Sequence, residues 1–577
     1  FTIAKPDHEY HYTLYYYDQA GNLIQTVPPA GVTRINNSTT LSNIISNRNN
    51  DGIPVIPTHT LLTKYEFNTL NQLIKQNTPD GGQSKFWYDN LGRLVVSQNA
   101  KQYTMSPKAY SYTIFDALGR ITEVGQLQNS TTMTVAIAFD SEDLGTFING
   151  VSKTEVTRSI YDITSGTFPS TTYFSQQNLR SRVSSIQYFP SLSSGLGASG
   201  TYSQAVHYTY DIHGNVDVLL REIPSLSAID QDFKSVIYKY DLVSGNVNQV
   251  IYQYNQADMF AHKYVYDADN RVTETYTSHD LLHWDRDAKY NYYLHGPLSR
   301  TVLGGLNVQG VDFAYTLHGW IKGVNSTTLN TSRDIGRDGH NGSDNQFVAK
   351  DVYGYSLGFF EGDQLPIGLT RSSSPMQNVD LFTPLTTTSA LGNASDNLWN
   401  GNIRHMVTAI KPYMTLNGMP MARAYKYDQL NRIKDAYTYD EVELDSNLWK
   451  YSGSANPDYE EHFSFDANGN ILTLSRNGTN TGGNTRDMDD FTYHYISNTN
   501  QLAYVDDTKA SGNYSDDIDN QSSGNYTYDA IGNLISDAAE QIASIEWTVY
   551  GKIKSITRTG GSSKPDLEFE YTPDGHR

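Results

Sequence analysis

The chain has 577 residues and a formal charge of −20, since 62 acidic residues outnumber 42 basic ones. Such a charge repels phosphate backbones and anionic lipid surfaces, which argues against nucleic acid as the main partner. No apolar run approaches the roughly 18 to 20 residues of a membrane span, so we expect no membrane insertion. Because cysteine is absent, disulfides, thiol nucleophiles and thiolate metal ligands are excluded.

One short unit recurs along the chain: an aromatic residue, Asp or Asn, two variable residues, Gly or Asn, Asn or Arg, and an aliphatic residue. Weaker copies begin at Phe67, Tyr293, Tyr315, Trp547 and Tyr571, and the copy at Tyr240 carries one extra residue before its glycine. The clear copies have their defining residues at Tyr17, Asp18 and Gly21; Tyr88, Asp89 and Gly92; Phe115, Asp116 and Gly119; Tyr210, Asp211 and Gly214; Tyr266 and Asp267; Tyr427 and Asp428; Phe465, Asp466 and Gly469; and Tyr528, Asp529 and Gly532.

The unit predicts a β-hairpin. In the last clear copy, Tyr526 and Tyr528 alternate onto one face of a strand, Asp529 opens a type I turn, and Gly532 takes the left-handed position. Asn at position 270 or 431 fits the same role, because Asn tolerates that conformation best among the other residues. One hairpin cannot bury its own face, so the copies must stack side by side. The sequence therefore predicts an all-β fold of repeated hairpins.

The repeats divide the chain into three predicted segments, namely 1–325, a Gly/Asp/Asn-rich insertion over 326–400, and 401–577. Long polar excursions between hairpins are expected on the outside of a repeat array. Helical periodicity is almost absent, with one short turn predicted near 537–542. Further stretches predicted to have little order are 36–52, 191–201, 476–486 and 506–525.

These repeats resemble those of the RHS or YD-repeat family, which includes shell components of bacterial ABC toxins and the extracellular part of teneurins. The segments FWYDNLGRLVVSQN (86–99), LHGWIKGVN (317–325) and DVYGYSLG (351–358) resemble the version carried by large secreted proteins of Bacteroidetes. The resemblance implies a spiral β-sheet wound into a hollow shell, open or closed, around a C-terminal toxin. The self-cleaving core segment of that family is not visible, and the chain is expected to stop before it.

The resemblance implies a structural function: a shell that encloses or presents a C-terminal effector domain of the same polypeptide. Secretion or surface machinery would be a further partner, and the location would be outside a Gram-negative bacterium or on its surface. One alternative is a surface adhesin or motility-associated platform that binds glycans or a partner protein. The other is an enzyme, such as a polysaccharide-degrading repeat protein.

Two features of the sequence leave a binding site open. The tyrosine rings could stack on sugars, although their regular spacing favours packing of each ring against the ring of its neighbour. Oxygen-rich turns at Asn47, Asn49 and Asp51, and at Asp334, Asp338 and Asp344, have cation-loop character but lack the downstream glutamate of an EF-hand. Because Asn-rich turns are common for conformational reasons, we predict no metal at either place.

No catalytic group can be nominated from the sequence. No nucleophile elbow, phosphate-binding loop or dinucleotide fingerprint follows a strand and precedes a helix. Most aspartates occupy the turn position, where the side chain serves backbone hydrogen bonds. We therefore predict a protein without enzymatic activity and without a cofactor.

Overall fold

A computed structural model describes residues 11–577 except 51, 54, 196–199, 328, 330, 332–333, 361–362, 364–396, 412–419, 444–447, 452–457, 480–484 and 515–516. Strands β1 to β12 span Leu14–Tyr17, Leu23–Val27, Thr63–Phe67, Leu73–Thr78, Gly82–Tyr88, Leu94–Gln98, Lys108–Phe115, Ile121–Asn129, Lys153–Tyr161, Val183–Leu192, Gln204–Tyr210 and Val216–Glu222. Strands β13 to β24 span Phe233–Tyr240, Val247–Tyr252, Phe260–Tyr266, Val272–Ser278, Asp285–Tyr292, Leu298–Leu303, Gln309–Tyr315, Ile321–Val324, Tyr353–Gly358, His405–Ile410, Met421–Tyr427 and Ile433–Glu443. Strands β25 to β34 span Leu448–Tyr451, Glu461–Phe465, Ile471–Asn477, Asp487–Tyr495, Leu502–Asp507, Tyr526–Tyr528, Leu534–Asp537, Ile542–Trp547, Ile553–Arg558 and Leu567–Glu568.

The strands pair almost entirely in chain order. β1 to β29 form one antiparallel sheet of 29 strands, and β30 to β34 form a second sheet of five. For the strands that the structure describes, the one departure from strict order is β24, which pairs with both β25 and β26. Among the described pairings, β1 does not pair with β29, so the large sheet is not closed into a barrel. The predicted all-β fold of repeated hairpins is confirmed.

Each clear copy of the repeat bends its hairpin at the same place. The register shifts at the aromatic residue, as between Thr209 and Tyr210, where Tyr210 pairs with Val216 and Thr209 pairs with Val218. One extra residue therefore lies in the return strand, which is a β-bulge and increases the local twist. The same shift recurs at the aromatic residue of all eight clear copies. A bulge repeated at every hairpin accounts for a sheet that winds instead of staying flat.

In the described part of the chain, four α-helices interrupt the strands: α1 (Ser38–Asn49), α2 (Ala100–Thr104), α3 (Val135–Phe139) and α4 (Ser141–Asn149). Short 3-10 turns span Pro29–Gly31, Ser170–Thr172 and Pro224–Ile229. The prediction of little order over 36–52 was wrong, because Asn37 caps α1 by accepting hydrogen bonds from the amides of Thr39 and Thr40. Helices α3 and α4 were not predicted at all. Among the described residues, no helix is both long and apolar enough to cross a membrane.

The large sheet is a single layer over most of its length. The accessible surface is 32842 Å², whereas a compact monomer of this mass exposes about 20,000 Å². Buried hydrophobic residues form small separate clusters instead of one core. The largest of these clusters lies where α3 and α4 cover β6 to β8; it contains Val95, Val96, Tyr110, Tyr112, Leu127, Met133, Ala138, Phe147 and Ile148.

The segment after β20 departs from the repeat pattern but remains part of the sheet. β21 pairs with β20 on one side and with β22 on the other. Within the predicted insertion the structure describes mainly the stretch up to Phe360, and 364–396 lies outside the described residues. The predicted segment boundaries at 325 and 400 remain predictions.

Candidate functional site

The recurring hydrogen bonds of each hairpin turn are made by its aspartate. In the copy at Phe115, the Asp116 Oδ1 atom accepts hydrogen bonds from the amides of Leu118 and Arg120, each at 2.9 Å. Asp116 Oδ2 accepts from Arg120 Nε at 2.7 Å, and Gly119 takes the left-handed backbone at φ 80°. One carboxylate thus satisfies the turn amides and fixes the side chain four residues later.

The same side-chain bond occurs in all eight clear copies. The partner at the fourth position is Arg in half of them and Asn in the other half. The pairs are Asp18 with Asn22, Asp89 with Arg93, Asp116 with Arg120, Asp211 with Asn215, Asp267 with Arg271, Asp428 with Arg432, Asp466 with Asn470, and Asp529 with Asn533. The structure therefore places every predicted turn aspartate in one geometry.

The tyrosine hydroxyl connects one hairpin to the next. Tyr266, for example, donates from its hydroxyl to the carbonyl of Val247 at 2.8 Å, and Val247 begins the return strand of the preceding hairpin. Burial raises the pKa of Tyr427 to about 12, so the hydroxyl stays protonated as a donor. Equivalent bonds are made by Tyr88, Tyr161, Tyr210, Tyr240, Tyr292, Tyr427, Tyr495, Tyr528 and Tyr571, and by the indole of Trp547.

Arginines of the turns add a second connection. Arg93 lies over the Phe115 ring of the next hairpin at 4.6 Å, and Arg432 lies over Phe465 at 4.7 Å. The two rings without a hydroxyl in the clear copies are thus held by a cation–π contact. Some ring pairs lie within a strand, as for Tyr208 and Tyr210 at 6.4 Å. The expected contact between rings of neighbouring copies is made by Tyr293 and Tyr315 at 6.3 Å.

Turns of the last hairpins contact the first ones across the winding of the sheet, and we call this contact the seam. Asn500 donates from its amide and its side chain to the Asp80 carboxylate at 2.7 and 2.9 Å. The amide of Val549 donates to Glu155 Oε2 at 2.7 Å, and the Tyr550 hydroxyl donates to the Glu155 carbonyl at 2.6 Å. These partners are about 400 residues apart in the chain.

The order of the seam contacts shows how the sheet winds. Moving along the chain, residues 30, 80, 101, 155 and 204 meet residues 468, 500, 529, 549 and 570, in that order. Both series increase together, so the second winding runs beside the first in the same direction. This parallel advance is the geometry of a spiral.

A group of buried carboxylates, which we call the acidic cluster, lies where the insertion meets the sheet. Ligand atoms of Asp312, Asp334 and Asp338 lie within 4.8 Å of one another, and Arg300 bonds both Asp312 and Asp338. Burial raises the pKa of Asp312 to about 6 and that of Asp351 to about 8, the latter also through the adjacent Asp334 carboxyl.

Of the two cation turns suggested by the sequence, the structure brings residues together in the second but not in the first. Asn47 and Asn49 lie in helix α1, where side chains two residues apart point to different faces, and Asp51 lies outside the described residues. In the insertion, Asp334 and Asp338 do come together, whereas Asp344 is exposed and apart. Asp312 was missed because it belongs to strand β19 and carries no local signal.

One arrangement has the residue types of a nucleophile relay. Ser165 Oγ lies 3.1 Å from His207 Nδ1, and His207 Nε2 lies 3.0 Å from Glu222 Oε2. The ring is only 1% exposed and packs 4.6 Å from Phe168. We interpret this relay as a connection that fastens the loop after β9 to the sheet.

Aromatic residues cluster at the turn after β19, and we call them the aromatic patch. Phe360 stacks on Trp399 with centroids 3.9 Å apart, and His318 stacks on Trp320 at 4.8 Å. His318 also meets Phe360 edge-on at 5.8 Å. Trp399 is 66% exposed, so the patch presents a flat ring to solvent.

No family model and no curated protein sequence matches the chain. Solved structures of TcdB2-TccC3 are similar in fold: one has a TM-score of 0.57 at 11% identity over 97% of this chain and 22% of that chain. The form without the hypervariable C-terminal region gives 0.56 at 11% identity over 97% and 21%. A Photorhabdus luminescens Tc holotoxin pore gives 0.56 at 12% identity, with the same shares covered. This chain therefore shares the fold of TcdB2-TccC3 and spans about a fifth of those chains.

Proposed function

We propose that this chain forms the wall of a hollow β-shell that encloses or presents a C-terminal effector domain of the same polypeptide, as part of a secreted bacterial polymorphic toxin. The observation that carries the proposal is that the strands pair in chain order, in a sheet of 29 and a sheet of five, and that the last hairpins meet the first ones at the seam. Paired strands leave few free edges for a protease or for another chain. Secretion or surface machinery of a Gram-negative bacterium would deliver the shell.

The fold of TcdB2-TccC3 gives additional support. One of these similar structures is described as lacking a hypervariable C-terminal region, and another belongs to a Tc holotoxin pore. A shell of constant architecture with a variable C-terminal effector domain would suit toxins that differ from one another in that domain. The repeat resemblance to RHS proteins points to the same function.

Limited proteolysis of the full-length polypeptide that contains this chain would test the proposal. We expect the sequence of the C-terminal effector domain to resist a protease in the intact protein and to be cleaved at least about tenfold faster in an Asp80→Ala, Glu155→Ala double variant, which opens the seam. An Asp344→Ala variant, which changes an exposed residue away from the seam, is the control. Equal cleavage of that sequence in all three proteins would reject enclosure.

A second candidate function is glycan binding at the aromatic patch, in a surface adhesin or motility-associated platform. Clustered exposed rings favour it, since aromatic rings stack on sugar CH faces as they do on other apolar surfaces. A glycan array probed with this chain should give signals that Trp399→Ala removes and that Tyr15→Ala leaves unchanged. An array without signal for the unmodified chain would reject this function.

A further inference from the structure

The acidic cluster carries more negative charge than its surroundings neutralise. Asp312, Asp334, Asp338 and Asp351 are exposed by 2%, 6%, 1% and 5%. Among the described residues, Arg300 is the one basic side chain bonded to them. If all four carboxyls ionise, three negative charges remain without a partner. Burial of an uncompensated charge is costly, so the cluster requires either a bound cation or protons.

Asp351 supplies a second observation that points to a ligand. Its Oδ1 atom accepts from Gln309 Nε2 at 3.1 Å, whereas its Oδ2 atom is buried without a hydrogen-bond donor. Asp334 is arranged in the same way: Oδ2 accepts from the Asp338 amide at 2.9 Å, and Oδ1 has no donor. Asp338 Oδ2 is also buried without a donor, so unpartnered acceptor oxygens of Asp334 and Asp338 belong to carboxylates whose ligand atoms lie within 4.8 Å of each other.

We propose that the acidic cluster binds a hard divalent cation of the calcium class, with Asp312, Asp334 and Asp338 as ligands and Asp351 completing the site. Carboxylate oxygens are the ligands that Ca²⁺ prefers, and its flexible coordination accepts an irregular set of them. Mg²⁺ suits this site less well, because it dehydrates reluctantly and demands near-octahedral geometry. The ion would fasten the 334–351 segment to β18 and β19, where the repeat pattern breaks.

Calcium added to the full chain in 0.15 M salt is the direct test, because that ionic strength weakens binding to the exposed acidic surface. After treatment with a chelator, we expect Ca²⁺ at millimolar concentration to raise the Tm by at least about 2 °C. Titration calorimetry should give one saturable site. Asp334→Asn should lower the affinity at least about tenfold, whereas Asp344→Asn, an exposed residue of the same segment, should leave it unchanged.

Asp351→Asn separates a cation from a shared proton, because Asn has the shape of the protonated acid. With a bound cation, this variant loses most of the calcium-dependent rise in Tm. If the unmodified chain shows neither saturable heat nor a calcium-dependent Tm, and Asp351→Asn is as stable or more stable, a shared proton replaces the cation and the proposal is rejected. Should Asp334→Asn fail to fold, equilibrium dialysis of the unmodified chain against Ca²⁺ still decides, since absence of bound calcium overturns the site.

Discussion

At the scale of single residues, the first two positions of each repeat have different structural roles. The aspartate shapes its own turn, while the ring before it reaches the preceding hairpin. In the copy at Tyr266, the hydroxyl bonds the Val247 carbonyl, and Asp267 bonds Arg271 within the turn. Loss of either residue should therefore have different consequences.

Tyr266→Phe tests the connection between hairpins. The substitution keeps the ring but removes the donor to Val247, so the free energy of unfolding should fall by about 0.5 to 1.5 kcal/mol. Tyr15→Phe, at a ring that is 57% exposed, should change it by less than about 0.5 kcal/mol. Urea unfolding monitored by circular dichroism measures both, and equal midpoints for the two variants would contradict the assigned role of the hydroxyl.

Asp267→Asn tests the turn through its dependence on pH. Hydrogen bonds from the Arg271 side chain and amide hold the pKa of Asp267 below its usual 3.8. The folded state prefers the carboxylate, so its contribution is complete above pH 3.8 and disappears as the pH falls below that value. The Tm difference between the unmodified chain and the variant should therefore be largest near pH 6 and shrink towards pH 2.5. A constant difference would show that the charge is not involved.

At the scale of elements, stability is distributed in local clusters along the winding. Helices α3 and α4 cover β6 to β8, and Tyr110 meets Phe147 edge-on at 5.3 Å. A separate cluster of Leu474, Phe491 and Val505 joins β27 to β29. In an array in which each unit contacts mainly its neighbours, damage to one cluster should remain local.

Phe147→Ala tests this locality. Removal of a ring that is 4% exposed should cost about 3 to 5 kcal/mol through lost burial and a residual cavity. Hydrogen exchange should accelerate in β6 to β9 and remain unchanged in β26 to β29. Phe491→Ala, the matched change in the other cluster, should give the reverse pattern, and acceleration throughout the chain in either variant would indicate one cooperative core.

At the scale of the whole molecule, the seam holds two windings together with few contacts. The Asp80→Ala, Glu155→Ala double variant removes side-chain acceptors for Asn500 and Val549 but leaves the strand ladders intact. Small-angle scattering should show a larger radius of gyration than for the unmodified chain, with an unchanged far-ultraviolet spectrum. An unchanged radius would mean that the windings are held by other contacts.

The hairpin and its repetition follow from the sequence alone, because the hydrogen bonds of the turn are made within about seven residues. Asp116, Gly119 and Arg120 contact one another locally, so their spacing predicts the turn, and the recurrence of that spacing predicts an all-β array. The hydrogen-bond acceptor of the tyrosine hydroxyl could not be predicted from the sequence, because the same spacing allows a ring to contact a neighbouring ring or a neighbouring carbonyl.

The helices over 38–49 and 135–149, the seam and the acidic cluster could not be predicted and became visible in the folded structure. Helix α1 has no buried residue and depends on its Asn37 cap, so it lacks the apolar stripe by which a helix is predicted. The seam joins Asp80 to Asn500 across 420 residues, and the acidic cluster joins Asp312 of a strand to Asp338 of the insertion. Such contacts depend on how far the sheet has turned, which is the sum of many small twists and leaves no local pattern in the sequence.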